Sequence, residues 1–387
     1  MKILFLAPQP FFEPRGTPIN VKRFVTALSD LGHEVDLLVY PHGSDVKIPN
    51  VNIKRVVKIP GLPKAPIGAS KVKIVYDALM APHALGLRMM RRYDVIHAVE
   101  DAAFIAWAIN KITGAPYIYD MDSSISDQLR YSGFLKNGRV LNWIEGWESA
   151  VMRDASKIIT VCRYLTDVAK RYVDENKIAQ IEDIPIDLPA APAGLTSEAV
   201  REKLGVPQDA PVVLYTGNLE KYQGMDLVMA AAPDVVAEFP SVRFVIVGGD
   251  DGDVNAYRVR ARSQGVDGNM IFTGLKPMSW MRPLQEMADI LLSPRLEGTN
   301  TPLKIYTYLE SGKPIVATDL PTHTQLLTPE VAVLAKPEKM EYARAILLLL
   351  RNRDLREEIG GRGRRFVESN HNYEVFKAKV ADVYREL

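Results

Sequence analysis

The sequence has one cysteine, Cys162, in 387 residues. No internal disulfide can form, and a reducing cytoplasm is the compartment expected. No uninterrupted apolar run approaches the roughly 18 residues a membrane span requires. The opening MKILFLAPQP carries a single lysine ahead of a strand-like run and has no signal-peptide core or cleavage site. The expected location is therefore cytoplasmic, as a soluble protein or one lying peripherally on the inner face of the membrane. Charge of one sign is also lacking: the net charge is +1. That balance gives no electrostatic footprint for nucleic acid, and no nucleic-acid partner is expected.

What is present is α/β rhythm, in a chain long enough for two domains. ILFLAP is a buried-type strand, followed by a proline-rich loop and a helix over about residues 19–31 with Val21, Phe24, Val25 and Leu28 on one face. Gly32 ends that helix and EVDLLVY is the next strand, which makes the β–loop–α–β unit of a doubly wound sheet. Helices follow over about residues 75–92 and 102–112, with strands DVIHAV and PYIYDMD. A long helix over about 140–155 then leads to KIITVC and QIEDIP. Pro185–Ala199 is rich in Pro and Ala without periodicity and reads as a linker. The alternation restarts with VVLYTG, VRFVIVGG, NMIFTG and DILLSP, and the chain ends in helices. The fold class expected is α/β, with two Rossmann-like doubly wound domains over 1–187 and 200–387.

The second half centres on SPRLEGTNTPLKIYTYLESGKPIVAT, residues 293–318. Thr301 is a good N-cap and Pro302 suits the first helical position. Ile305, Tyr306 and Leu309 extend the apolar face begun by Pro302, while Lys304, Thr307, Tyr308 and Ser311 fall on the other side. Gly312 stops the helix, and IVAT is a short strand. Such a helix aims free amides, Thr301 and Lys304 at whatever lies beyond its N-terminus, which suits a diphosphate. The alternative is a plain helix packed on a sheet.

With these residues set out, the chain resembles, over nearly its full length, the nucleotide-sugar glycosyltransferases of the GT-B type, family four. The likeness rests on GTP in the first loop with GHEV after its helix, on YTGNLEKYQGMDL, on VIVGG followed by IFTG, and on NTPLKIYTYLESGKPIVAT. The resemblance implies two Rossmann-like domains facing a cleft, with an acceptor bound mainly by the first and an activated sugar mainly by the second. It implies transfer with retention, and no metal or other cofactor besides the nucleotide-diphosphate sugar itself. Donor contacts are then expected from Gly16, Thr17, Gly217, Asn218, Gln223, Gly274, Arg295, Glu297, Thr299, Asn300, Thr301, Pro302, Leu303 and Thr307. Lys304 and Lys221 are candidate clamps on the departing diphosphate, where a lysine acts as a point charge. A solvated surface lysine is the alternative for each.

Several positions depart from the family pattern. Counted back from Gly312 without gaps, the two glutamates of that pattern fall at Thr299 and Thr307; Glu297 and Glu310 are out of register. Thr307 can hydrogen-bond a hydroxyl but carries no charge. Asn218 and Gln223 stand where relatives have an arginine and a lysine, with Lys221 between them and Arg295 as another cation. Asp122 replaces a histidine. The losses leave hydrogen-bonding side chains in place, so a rebuilt site is expected rather than a dead one.

Alternation along the strand places Asp120 and Asp122 on one side of its carboxyl edge, where ligands bind in such sheets. They resemble an acidic metal pair, but acceptor contact by Asp120 and base work by Asp122 is the reading adopted. Glu100 is expected to contact the acceptor as well, and His97, beside Glu100 and Asp101, is either an acceptor ligand or a structural histidine. Finally, residues 46–93 carry Lys47, Lys54, Arg55, Lys58, Lys64, Lys71, Lys73, Arg88, Arg91 and Arg92 against Asp77, interleaved with Ile67, Val72, Ile74, Val75, Leu87, Met89 and Met90. This basic region suits an anionic membrane surface or a phosphorylated acceptor, or is a solvated face.

The function expected is a retaining glycosyltransferase moving a hexose-type sugar to an acceptor, either lipid-linked or a surface-glycan precursor. The alternative is a non-catalytic GT-B protein that binds a sugar nucleotide or a partner. A GT-B epimerase is disfavoured because its acid and base residues find no place here.

Overall fold

A computed structural model of the chain describes residues 1–13, 16–66, 70–131 and 137–387, and Ile67 of the basic region lies outside them. Strands β1 (Lys2–Ala7), β2 (Glu34–Val39), β3 (Val51–Arg55), β4 (Val95–Val99), β5 (Tyr117–Met121), β6 (Lys157–Thr160) and β7 (Ile178–Gln180) form one sheet. A second sheet holds β8 (Val212–Thr216), β9 (Arg243–Val247), β10 (Met270–Gly274), β11 (Ile290–Ser293), β12 (Ile315–Thr318) and β13 (Val333–Ala335). The orders are β3-β2-β1-β4-β5-β6-β7 and β10-β9-β8-β11-β12-β13. Every pairing is parallel. Both sheets are thus Rossmann-like, as the sequence rhythm implied.

Parallel strands covered on both faces need continuous apolar runs. Ile3 to Ala7 and Val212 to Tyr215 are such runs, and all are fully buried. In each sheet the order reverses beside the first strand, between β1 and β4 and between β8 and β11. Ligands bind at the carboxyl ends of strands at such switch points. On one face of the first sheet, Leu4, Leu6, Leu38 and Tyr119 pack with Tyr76, Met80 and Ala84 of the helix Lys71–Met90 and with the helices Ala102–Thr113 and Gly138–Asp154. The other face is covered by the helices Gly16–Asp30 and Tyr373–Arg385, whose Phe24 and Phe376 meet edge to face at 5.0 Å.

The chain divides into a first unit, Met1–Asp183 with Tyr373–Leu387, and a second, Ile184–Asn372. This departs from the expected 200–387 in two ways. The last helix belongs with the first sheet: Phe376, Val380 and Val383 are buried, and the Tyr373 hydroxyl donates to Asp30 at 2.6 Å. Its apolar stripe is legible in sequence, but nothing in the stripe says which sheet it covers. The stretch read as a linker is part of the second unit. Leu195 packs in its core and Thr196 caps a helix, Ser197–Leu204, by accepting from the Ala199 amide at 3.3 Å.

Candidate active site

In the second unit the helix Lys304–Ser311 faces the carboxyl end of β8. Its Lys304 and Tyr308 are four residues apart and therefore stand on one side. Lys304 Nζ lies 4.0 Å from the centre of the Tyr215 ring and donates to the Thr216 carbonyl at 3.3 Å. The Tyr308 hydroxyl accepts from the Thr216 amide at 2.9 Å and shares a second bond of 2.9 Å with its side chain. The polar side of the helix is thus turned inward rather than to solvent.

Gly217 follows at φ +148°, where a Cβ would stand 2.9 Å from the Tyr215 hydroxyl. Gly248 presses against it so closely that a Cβ there would lie 1.9 Å from the Gly217 carbonyl oxygen. Two loop backbones therefore meet with no side chain between them. Gly274 closes the same edge, its carbonyl accepting from the Gly248 amide at 2.9 Å.

Arg295 supplies the second cation. Its Nε donates to the Glu297 carbonyl at 2.8 Å, Nη1 donates to the Asn300 carbonyl at 3.4 Å, and the guanidinium lies 5.3 Å from the Tyr222 ring centre. Among the described residues, neither Arg295 nor Lys304 has a carboxylate partner. Burial, and then Arg295, lowers the Lys304 pKa to about 7. Two withdrawn cations without an anion are costly unless a ligand brings one.

The loop carrying Arg295 is held from below by His323, which the sequence reading missed. Its Nε2 meets the Ser293 hydroxyl at 2.8 Å, and its Nδ1 meets the Thr318 carbonyl and hydroxyl, each at 3.0 Å. Burial, then Lys304, pushes its pKa down to about 3, so it is a neutral strut between the ends of β11 and β12. A lone His in PTHT, with no pattern around it, gave no signal. Thr322 and Gln325 donate to the carbonyls of Asn300 and Thr299 at 2.7 and 2.9 Å.

The remaining expected donor residues are placed as follows. Thr301 and Pro302 are buried just before the helix. The helix begins at Lys304 after Leu303, whose side chain makes no cap bond, so Thr301 is not the N-cap; the Ile305 amide bonds the Pro302 carbonyl and tightens the turn. Thr307 Oγ1 accepts from the Ile186 amide at 3.0 Å, a contact inside the fold. Asn218 has its carbonyl bonded by Tyr215 at 2.6 Å, and Gln223 keeps a buried Oε1 with no partner. Glu297 and Lys221 are exposed. Lys221 sits in a single turn of 3₁₀ helix and makes no ion pair among the described residues. Gly16 and Thr17 belong to the first unit, at the start of its first helix.

In the first unit the sheet edge is acidic. His97 is fully buried, stacked 4.1 Å from the Phe5 ring, with Nδ1 2.7 Å from the Tyr384 hydroxyl and Nε2 3.0 Å from Asp120. Both ring nitrogens of His97 are engaged inside the fold, so its place here is structural. Asp122, one step closer to the edge on the same strand face, accepts from Asn20 Nδ2 at 3.0 Å. Burial, then Asp120, Glu100 and Asp183, raises its pKa well above the ordinary range. Glu100 has φ +49° and pairs with Lys73 at 3.4 Å, and Lys73 also meets Asp101 at 2.9 Å. Among the described residues, no three His, Cys, Asp or Glu side chains converge as metal ligands.

The basic region is thinner than its sequence. Lys54 and Arg91 pair with Asp36, Arg55 with Asp45, Lys64 with Glu13, and Lys73 is enclosed by acids. What remains outward on the helix Lys71–Met90 is Lys71 with Ile74, Val75, Met89 and Met90. No helix of the described residues is long and apolar enough to cross a membrane.

Comparison with known proteins agrees with this geometry. The model for Glycosyltransferase Family 4 matches residues 14–182, and that for Glycosyl transferases group 1 matches residues 196–366. The chain belongs to the group 1 glycosyltransferases of the GT-B type, and the reaction class is glycosyl transfer. It is 24% identical over 405 residues to a phosphatidyl-myo-inositol mannosyltransferase of Mycolicibacterium smegmatis, covering 100% of this chain and 94% of the relative. It also matches a putative colanic acid biosynthesis glycosyl transferase, WcaI, of Escherichia coli at 27% identity, over 60% of this chain and 59% of that one. Among solved structures it shares its fold with sucrose-phosphate synthase of Thermosynechococcus elongatus: TM-score 0.79, 17% identity, 99% and 98% of the two chains covered. Anabaena HepE, solved with UDP, gives a TM-score of 0.76 at 17% identity over 100% of both chains.

Proposed function

We propose that this protein is a retaining hexosyltransferase with a nucleotide-diphosphate sugar as donor. The observation carrying that reading is the pair Lys304 and Arg295, withdrawn from water in the second unit with no carboxylate partner among the described residues. A diphosphate supplies the missing negative charge and restores the proton on Lys304, so that as the sugar–phosphate bond breaks the growing charge is met by two cations. Structures of HepE with UDP and with UDP-glucose support this type of donor. By analogy with the family, the acceptor hydroxyl attacks from the face the nucleotide leaves, and the departing phosphate takes its proton. No protein nucleophile and no metal is assigned.

The first unit takes the acceptor, with Glu100 and Asp122 at the sheet edge as its contacts. The mycobacterial relatives are named for a phosphatidyl-linked acceptor, which supports a lipid-linked substrate here. Lys71, Ile74, Val75, Met89 and Met90 would then rest peripherally on an anionic bilayer, at the cytoplasmic face. The competing reading is a non-catalytic sugar-nucleotide binder. It is favoured by one observation, that Thr307, which stands where the family places a glutamate, is engaged by the Ile186 amide.

The test is a panel of nucleotide sugars scored for binding and then for turnover. Turnover that falls by about 10²-fold in Lys304→Ala supports the enzyme reading. Binding without turnover in wild type favours the second, and wild-type rates in the variant remove Lys304 from the mechanism.

A further inference from the structure

A column of polar groups runs up one face of β5 and ends short of its partners. Tyr384 meets His97, and His97 meets Asp120 through Oδ2. The other carboxylate oxygen of Asp120 is buried and has no hydrogen-bond partner. Above it, Asn20 gives its Nδ2 to Asp122, and the oxygen of that same amide is likewise buried and unpartnered. Asn20 is 5% exposed, Asp120 1% and Asp122 8%. A buried acceptor without a donor is unfavourable, and natural structures rarely tolerate one. Here two occur at one place, at the carboxyl edge next to the switch between β1 and β4.

We propose that this recess, floored by Asp120 and walled by Asn20 and Asp122, receives an uncharged hydroxyl-bearing part of the acceptor and rejects a phosphorylated one. The inference rests on the proposed function, because it names the acceptor chemistry of the first unit. Both empty valences are acceptors, so the group entering must donate. The surroundings are rich in carboxyl groups: Glu100, Asp120 and Asp183 all act on Asp122 at this edge. Its nearby cations are already spent, Arg23 on Asp183 at 3.5 Å and Lys73 on Glu100 and Asp101. A phosphate would meet carboxyl groups and, among the described residues, no cation without a carboxylate partner. A hydroxyl donates to Asn20 Oδ1 or Asp120 Oδ1, and its oxygen accepts from Asp122, whose carboxyl favours the protonated form. Any phosphate of a lipid-linked acceptor must then lie outside this recess.

The experiment is saturation-transfer NMR on the full chain with methyl α-D-glucopyranoside, myo-inositol, glucose 6-phosphate and myo-inositol 1-phosphate as probes. The neutral polyols are expected to bind in preference to the phosphates. Asn20→Ser, which keeps a small polar group, is expected to weaken them by about fivefold, as for one lost hydrogen bond. Binding of nucleoside diphosphates by the same variant is expected to stay unchanged, which shows that it folds. Preference for a phosphate overturns the proposal. So does neutral binding that Asn20→Ser leaves intact, since buried water then satisfies the two oxygens, and so does absence of any neutral signal. A protein that binds nucleotide yet fails these tests sinks this inference alone. One that binds no nucleotide sinks the reading beneath it.

Discussion

Lys304→Met should yield a protein that is more stable and less active than the wild type. The folded lysine titrates at about 7, depressed by burial and by Arg295. The sign follows from linkage. In the unfolded chain the same amine is protonated up to its ordinary, much higher value. Between about 7 and that value the unfolded state binds the extra proton, so wild-type stability rises with pH across the window. At pH 7 the penalty on the folded state is about 4 kcal/mol, from 1.36 kcal/mol per pH unit of depression. Methionine keeps the stem against Tyr215 and forfeits the bond to the Thr216 carbonyl, a loss of about 1 kcal/mol. The net gain is about 3 kcal/mol at pH 7, which for a unit of this size is on the order of 10 °C in Tm. Thermal unfolding of both proteins from pH 6.5 to 10 should show the gap largest at low pH and closing as pH rises. A variant less stable than wild type at pH 7, or a gap independent of pH, would refute the burial argument.

Three further outcomes follow from other parts of the molecule. Gly217→Ala places a Cβ against the Tyr215 hydroxyl at a φ that favours glycine, so it should lose about 1–3 kcal/mol and weaken nucleotide binding, seen by thermal unfolding and calorimetry. Tyr384→Phe strips His97 Nδ1 of its partner and should cost about 1–2 kcal/mol in urea unfolding; an unchanged midpoint would mean that water replaces the hydroxyl. The double change Met89→Ser, Met90→Ser alters exposed side chains and should move stability by no more than about 0.5 kcal/mol. It should nonetheless reduce sedimentation with phosphatidylglycerol vesicles, and equal sedimentation would count against the peripheral-membrane reading.

The two sheets were legible because buried parallel strands such as ILFLA and VVLYT write their environment into unbroken apolar runs. The helix after GTNTP was legible from its apolar face and its glycine stop. Strand β3, VNIKR, was not read as a strand: it is an edge strand, only partly buried, and its composition is that of a basic loop. The start at Lys304 escaped because a good cap residue and a favourable proline sat in a segment that the turn to Ile305 excludes from the helix. Tertiary partners were the least legible. Tyr308 looked like part of a polar face and instead clamps Thr216. Half of the basic region is neutralised by acids remote in sequence, Asp36 and Glu100 among them. His97 reads the same from sequence whether it lies at an edge or beneath one; only Phe5 and Tyr384, brought together by the fold, decide it.

The central claim is that a diphosphate is held by Lys304 and Arg295. Its most direct test is calorimetric titration of UDP, GDP and ADP into wild type and Lys304→Met at pH 8, in two buffers of different ionisation enthalpy. The account expects one of the three to bind wild type with uptake of a proton, because the anion restores the charge of a lysine that is mostly neutral at that pH. It expects the variant to bind much more weakly with no uptake. Binding of equal strength in both proteins, or none by the wild type, would contradict it.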